Sequence, residues 1–133
     1  MYLVTGGAGF LGEKLVNELL LRGEKVRVFD LIAPKILHKN LEIVTGDVRN
    51  EKLVNSLFEN IKVVHHNIAQ VPLAKNKNLF WSVNHDGTKN LLNASLKNKV
   101  GHFIYTSSSA VYGVPENNPI DEKIKPNPSE EYG

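Results

Sequence analysis

The apolar residues of this chain keep two different spacings, and the spacing switches repeatedly from one end to the other. Tyr2-Leu3-Val4 is a short apolar run that predicts a first strand. Leu11, Leu15, Val16, Leu19 and Leu20 then recur at helical spacing, with Glu13, Lys14, Asn17 and Glu18 between them. That pattern predicts a helix running to Arg22 and stopped by Gly23. Residues 25–30 and 41–45 read as the second and third strands, and Val63-Val64 centres a fourth. A short helix is predicted over 51–58, with Leu53, Leu57 and Phe58 on one side and Asn50 placed to cap it. The longest helical pattern covers 79–96, where Leu79, Phe80, Val83, Leu91 and Leu92 are apolar, and residues 102–106 form a fifth strand. From Val114 onward Pro115, Pro119, Pro126 and Pro128 fall among polar residues, so 114–133 reads as a proline-rich loop after a core of 1–113.

Strand and helix alternate throughout, which predicts an α/β fold: a Rossmann-type doubly wound parallel sheet with strand order 3-2-1-4-5. Right-handed crossovers place every strand's carboxyl end on one edge of such a sheet. Residues 5–9, Asp30, Asp47, the residues after Val64, and 106–109 are therefore expected to converge on a single crevice.

With 133 residues the chain has the size of one ordinary domain. A hydrophobic fraction of 41% and a charged fraction of 23% are those of a globular protein. The net charge of +2, with no stripe of lysine and arginine, argues against a nucleic-acid partner. There is no cysteine, which removes disulfides and thiolate metal sites. His65 and His66 are neighbours on a strand, so they point to opposite faces, and no metal is expected there. Met1 stands just ahead of the first strand and no apolar run reaches spanning length, so the expectation is a cytoplasmic protein with no leader and no membrane partner.

The chemistry starts at the first turn. Gly7, Gly9 and Gly12 spell G-x-G-x-x-G between a strand and a helix, and Gly6, Gly9 and Gly12 spell a second triplet. A dinucleotide's pyrophosphate needs such a turn, because backbone can approach only where side chains are absent and a helix N-terminus offers free N–H groups. Asp30 ends the second strand, where a carboxylate accepts hydrogen bonds from ribose hydroxyls and repels a 2′-phosphate; NAD is favoured over NADP. Asp47, in Gly46-Asp47-Val48, is positioned to meet the adenine amino group. Thr106-Ser107-Ser108-Ser109 comes off the fifth strand, beside the nicotinamide end of a cofactor laid across the sheet.

These pieces together resemble the first part of an extended short-chain dehydrogenase/reductase of the NAD-dependent epimerase/dehydratase family. The resemblance rests on Thr5-Gly-Gly-Ala-Gly-Phe-Leu-Gly12, Asp30, Gly46-Asp47-Val48-Arg49, Asn84-x-x-Gly87-Thr88-x-Asn90-Leu91-Leu92 and Ser107-Ser108-Ser109-Ala-Val-Tyr112-Gly113. It implies NAD contacts from Gly6, Gly9, Phe10, Leu11, Gly12, Asp30, Asp47 and Val48. It also implies a nucleoside-diphosphate sugar as substrate and a homodimer through the 79–96 helix. Ser108 corresponds to the family's active-site hydroxyl, which hydrogen-bonds the reacting sugar oxygen, and Tyr132 to the tyrosine of its Tyr-x-x-x-Lys unit. A phenol of ordinary pKa, near ~10, is a poor base at neutral pH; in the family a lysine ammonium and the oxidised nicotinamide's charge lower that value.

Three departures qualify the likeness. The chain reaches Gly133 before the lysine, so the expectation is an incomplete enzyme that turns nothing over alone, with Tyr132 frayed near the end. Ser109-Ala110 stands where similar sugar dehydratases carry an acid pair, which disfavours dehydration. Asn67 and Ile68 are bulkier than the His-x-Ala-Ala usual after the fourth strand. The rival reading is a non-catalytic NAD-binding module that senses redox state through a partner. A steroid- or flavonoid-type reductase usually wants NADP, against which Asp30 argues. Asn84, Tyr112 and Gly113 read as structural, and Trp81 as packing or a subunit contact. The fifth strand's edge, lacking neighbours, is expected to drive self-association.

Overall fold

The computed structural model describes residues 1–71, 77–116, 118–130 and 132. Its elements run β1 (Tyr2–Thr5), α1 (Phe10–Leu21), β2 (Val26–Asp30), β3 (Leu41–Thr45), α2 (Glu51–Ser56) and β4 (Val63–His66). After these come α3 (Lys77–Trp81), a π-helical segment (Ser82–Gly87), α4 (Thr88–Lys97), β5 (His102–Tyr105) and a 3₁₀ turn (Ser109–Tyr112). All five strands are parallel, in the order β3-β2-β1-β4-β5 expected from the alternation.

Successive residues of a strand face opposite sides of the sheet, and the core splits accordingly. On one side Val4, Val26 and Val28 meet Val16, Leu19 and Leu20 of α1. On the other, Leu3, Phe29 and Val64 pack with Val54 and Leu57 of the α2 region and with Leu91 and Ala94 of α4. Glycine is required where α1 meets the sheet. A Cβ on Gly12 would stand 2.0 Å from the carbonyl oxygen of Gly6, and one on Gly7 would stand 2.6 Å from Val28 Cγ1.

Local chemistry ends each helix. The Gly23 amide donates to the Leu20 carbonyl and that of Glu24 to Leu19, with Gly23 at φ +78°, closing α1 in a left-handed cap. The Asn50 side chain accepts from the Leu53 amide at 3.1 Å and caps α2. Three differences from the sequence reading stand out. The 79–96 helix is two α segments joined by a π turn, the 51–58 helix ends at Ser56, and Trp81 is 56% exposed, so of its two readings packing within the chain does not hold. Its neighbour Phe80 is the buried aromatic, and its ring lies against that of Tyr132. Among the described residues no helix is long and apolar enough to cross a membrane.

Candidate functional site

The five strand ends deliver their residues to one edge. A cleft of about 460 Å³ is lined by Gly6, Gly9, Asp30, Asp47, Val48 and Asn67 among others. Adjoining it, a 260 Å³ hollow touches Gly6, Gly9, Phe10, Leu11, Thr106 and Tyr132. A third of 240 Å³ brings Ser108 and Tyr132 together with Phe80, Trp81 and Asn84. Gly6, Gly9 and Asn67 belong to the first two and Tyr132 to the last two, so the three form a continuous trough.

The glycine turn is closed by its own main chain and carries no side-chain cap. Gly6 sits at φ +70° and accepts the Gly9 amide on its carbonyl at 3.1 Å. Gly9 precedes α1 and no side chain caps that helix, so its first-turn amides keep the unpaired donors and positive dipole end that an anion uses. The Asp30 carboxylate accepts from the Ala8 amide at 3.0 Å through one oxygen and from the Ile32 amide at 3.3 Å through the other. It therefore fastens the turn as well as facing the cleft.

Asp47 is gripped by its neighbour. The Arg49 guanidinium donates to both carboxylate oxygens, at 2.9 and 3.0 Å from Nε, and the Arg49 amide adds a bond of 2.9 Å. The Arg49 side-chain hydrogen bond holds the Asp47 carboxyl below its ordinary range, against a smaller opposing effect of burial.

Beneath the trough lies a polar thread that periodicity did not reveal. His66 is fully buried, its Nδ1 2.7 Å from the Thr5 hydroxyl and its Nε2 2.9 Å from that of Thr88. Thr88 donates its own proton to the Asn84 carbonyl at 2.6 Å, so it accepts from Nε2–H, and Nδ1 accepts from Thr5. Burial pushes the His66 imidazole down to about 4. Asn84 clasps Gln70 through both main-chain groups, at 2.7 and 2.9 Å, and the Thr106 hydroxyl donates to Asn67 at 2.6 Å. In these contacts a β1 threonine, a β4 histidine and a helical threonine meet only after folding. A Thr–His–Thr triple spread over residues 5, 66 and 88 has no sequence spacing to betray it.

Ser108 is half-buried and its hydroxyl accepts the Ala110 amide at 3.2 Å, starting the 3₁₀ turn. Tyr132 is half-buried, with its ring 6.0 Å from that of Phe80. Glu131 and Gly133, on either side of Tyr132, lie outside the described residues.

The profile of the NAD-dependent epimerase/dehydratase family matches residues 2–133. An uncharacterized protein of Sinorhizobium fredii, y4nG, is 50% identical over 98% of this chain and 33% of its own length. A 3 beta-hydroxysteroid dehydrogenase/Delta 5-->4-isomerase of Mycobacterium tuberculosis is 39% identical over 82% of this chain and 32% of its own. The crystal structure of Thermus thermophilus UDP-glucose 4-epimerase, a complex with NAD, superposes with a TM-score of 0.88 at 33% identity. It is matched over 98% of this chain and 45% of that one. The chain thus spans about a third of the length of these two curated relatives.

Proposed function

The chain belongs to the NAD-dependent epimerase/dehydratase family, and from that premise we propose that it forms the NAD-binding portion of a nucleotide-sugar epimerase-like enzyme. The observation that carries the reading is the unbroken trough from Asp47 and Asp30, past the glycine turn, to Ser108 and Tyr132. Its shape fits an extended dinucleotide, and the uncapped N-terminus of α1 fits a diphosphate.

When bound, the nicotinamide supplies a hydride acceptor and donor. The residues of this chain do the rest. Gly6, Gly9 and the amides of Phe10, Leu11 and Gly12 let the main chain close on the pyrophosphate. Asp30, pinned by Ala8, accepts from the adenosine ribose hydroxyls and excludes a 2′-phosphate. Asp47 and Val48 meet the adenine. Ser108 hydrogen-bonds the reacting sugar oxygen, and the Tyr132 phenolate takes that oxygen's proton, as general-base chemistry requires. The sugar-binding part and the lysine partner of Tyr132 are assigned to the part of the relatives' length that lies outside the match. Residues 1–113 act as the cofactor-binding core and 114–133 as the approach to that part. A cytoplasmic setting and a homodimer through the 79–96 region complete the reading; Leu92 and Leu96 lie exposed there.

A hydroxysteroid is the second candidate substrate, favoured by the 39% identity to the mycobacterial enzyme and by the Phe80, Trp81 and Val111 wall beside Ser108. Calorimetric titration with NAD, NADP, UDP-glucose and a 3β-hydroxysteroid tests both. NAD is expected to bind at least about tenfold tighter than NADP, one charge conflict being of the order of 1.4 kcal/mol. The isolated chain is expected to turn over no UDP-sugar. A flat NAD titration at millimolar ligand would overturn the proposal, and binding of the steroid would select the second reading.

A further inference from the structure

Four contacts hold the main chain of the loop after β3. The Asn50 amide donates to the Asp47 carbonyl at 2.9 Å, and the Asn90 side chain donates to the Val48 carbonyl at 3.1 Å. Gly87 lies so close to Val48 that a Cβ there would be 2.5 Å from Val48 Cγ1, and the Gly46 amide is bound to the Asp30 carbonyl at 2.8 Å. With the main chain fixed, what remains free is the torsion of the Asp47 side chain. That side chain is 33% exposed at the rim of the cleft, where water would otherwise draw the carboxylate outward.

We propose that Arg49 is the positioning residue for adenine recognition: its guanidinium locks the Asp47 carboxylate in the orientation that presents an oxygen to the base's exocyclic amine. This rests on the reading above that Asp47 meets adenine. The geometry fits the task. Arg49 reaches both carboxylate oxygens with one planar edge while its own amide takes Oδ1, so rotation of the carboxylate breaks several charge-assisted bonds at once. The pair is also electrically balanced, which matters at the end of a cleft built for a polyanion: a lone carboxylate would repel the diphosphate that Gly9 and α1 attract. Asp30, also on this cleft, accepts from the Ala8 and Ile32 amides.

Hypoxanthine isolates the contact, because it carries a carbonyl oxygen where adenine carries the amine. A carboxylate facing it sets acceptor against acceptor. The experiment is equilibrium titration of this chain with NAD and with nicotinamide hypoxanthine dinucleotide, alongside nicotinamide mononucleotide, which lacks the base altogether. The native chain is expected to prefer NAD by about tenfold, the loss of one hydrogen bond to a charged group. Arg49→Ala should shrink that preference to about twofold or less, Arg49→Lys should keep part of it, and the mononucleotide's affinity should not move. Arg49→Gln serves as the second variant if Arg49→Ala unfolds.

If the native chain does not distinguish the two dinucleotides, the placement of Asp47 at adenine fails and takes the proposal with it. If the native chain discriminates and Asp47→Asn loses the discrimination while Arg49→Ala keeps it, only the role of Arg49 is overturned. An equal loss for all three ligands in Arg49→Ala also overturns it, since that is the signature of a general electrostatic or folding effect.

Discussion

His66 is a side chain whose surroundings admit one protonation state. Each ring nitrogen already has a hydroxyl partner, and a second ring proton would force the Thr5 hydroxyl, which also accepts the Asn67 amide at 3.3 Å, to give up its role as donor. The folded imidazole stays neutral until about pH 4, whereas the unfolded one titrates near 6.5. The unfolded chain therefore binds the extra proton between those values, and stability falls as pH drops through that window. Above about 6.5 this contribution is complete; below about 4 it changes no further. Its full size is about 3 kcal/mol. Urea melts at pH 7 and pH 4.5 should show most of that loss, and the His66 ring resonances should not titrate above about pH 5 in the folded protein. A normal titration near 6.5 would refute the buried neutral state. Glycine decides a second residue-scale question. Gly12→Ala puts a methyl 2.0 Å from the Gly6 carbonyl, so the turn must open. The expected cost is about 2–3 kcal/mol of stability, with NAD binding lost, read by thermal melts and titration.

At the scale of elements, the helix before β5 shows how a uniform apolar pattern hides a break. Residues 79–96 read as one helix, yet the chain widens into a π turn over Ser82–Gly87. That turn carries Asn84 to Gln70 and lets the Thr88 hydroxyl reach both His66 and the Asn84 carbonyl. Asn84→Ala should therefore weaken the floor of the trough more than the helix itself. The far end of α4 offers a cleaner test of local conformation. Lys99 occupies a left-handed position, φ +54°, while the Val100 amide closes the cap on the Ser95 carbonyl at 3.0 Å. Glycine is the residue that position favours, and Gly23 fills the equivalent place after α1. Lys99→Gly should stabilise the protein by about 0.5–1 kcal/mol, measured by chemical denaturation, since relief of backbone strain exceeds the added chain entropy. The cap on α2 and the stop after α1 were both legible in the sequence because Asn50 and Gly23 act within their own turns. The π segment was not, because the groups that hold it come from β4 and the Gln70 loop.

Across the whole molecule, cover on the sheet thins toward β5. Val4, His65 and Ile104 are register neighbours on the α1 side, and burial falls along them from complete, to half, to 47% exposed. His65 stacks on Tyr2 there at 6.2 Å between ring centres. Its partial burial lowers its affinity for a proton as well. On the opposite side Leu3 and Val64 are fully buried and Phe103 half. β5 is also an edge of the five-stranded sheet, with exposed Ile104 and Tyr105. An edge of that kind pairs readily with another chain. The isolated chain is expected to self-associate at concentrations near a millimolar. Sedimentation of the native chain and of Ile104→Lys should show the association falling sharply in the variant; a monodisperse native chain would count against it.

What the sequence determined alone was everything set by neighbours a few positions apart. Two alternating periodicities specified strands, helices and a parallel sheet, and the glycine turn marked the end of β1 as the place where backbone can meet a diphosphate. The positions of Asp30 and Asp47 on one edge followed from the handedness of crossovers, a rule about chains in general. Tertiary structure decided what those residues touch. Asp30 ties down Ala8, Asp47 is held by Arg49, and Thr5, His66 and Thr88 share one buried thread. Such contacts depend on side-chain torsions and on strands that are neighbours in space but far apart along the chain. A pattern of apolar and polar positions carries the faces of the elements and says nothing of which polar atom, on which neighbouring strand, will lie within 3 Å of another.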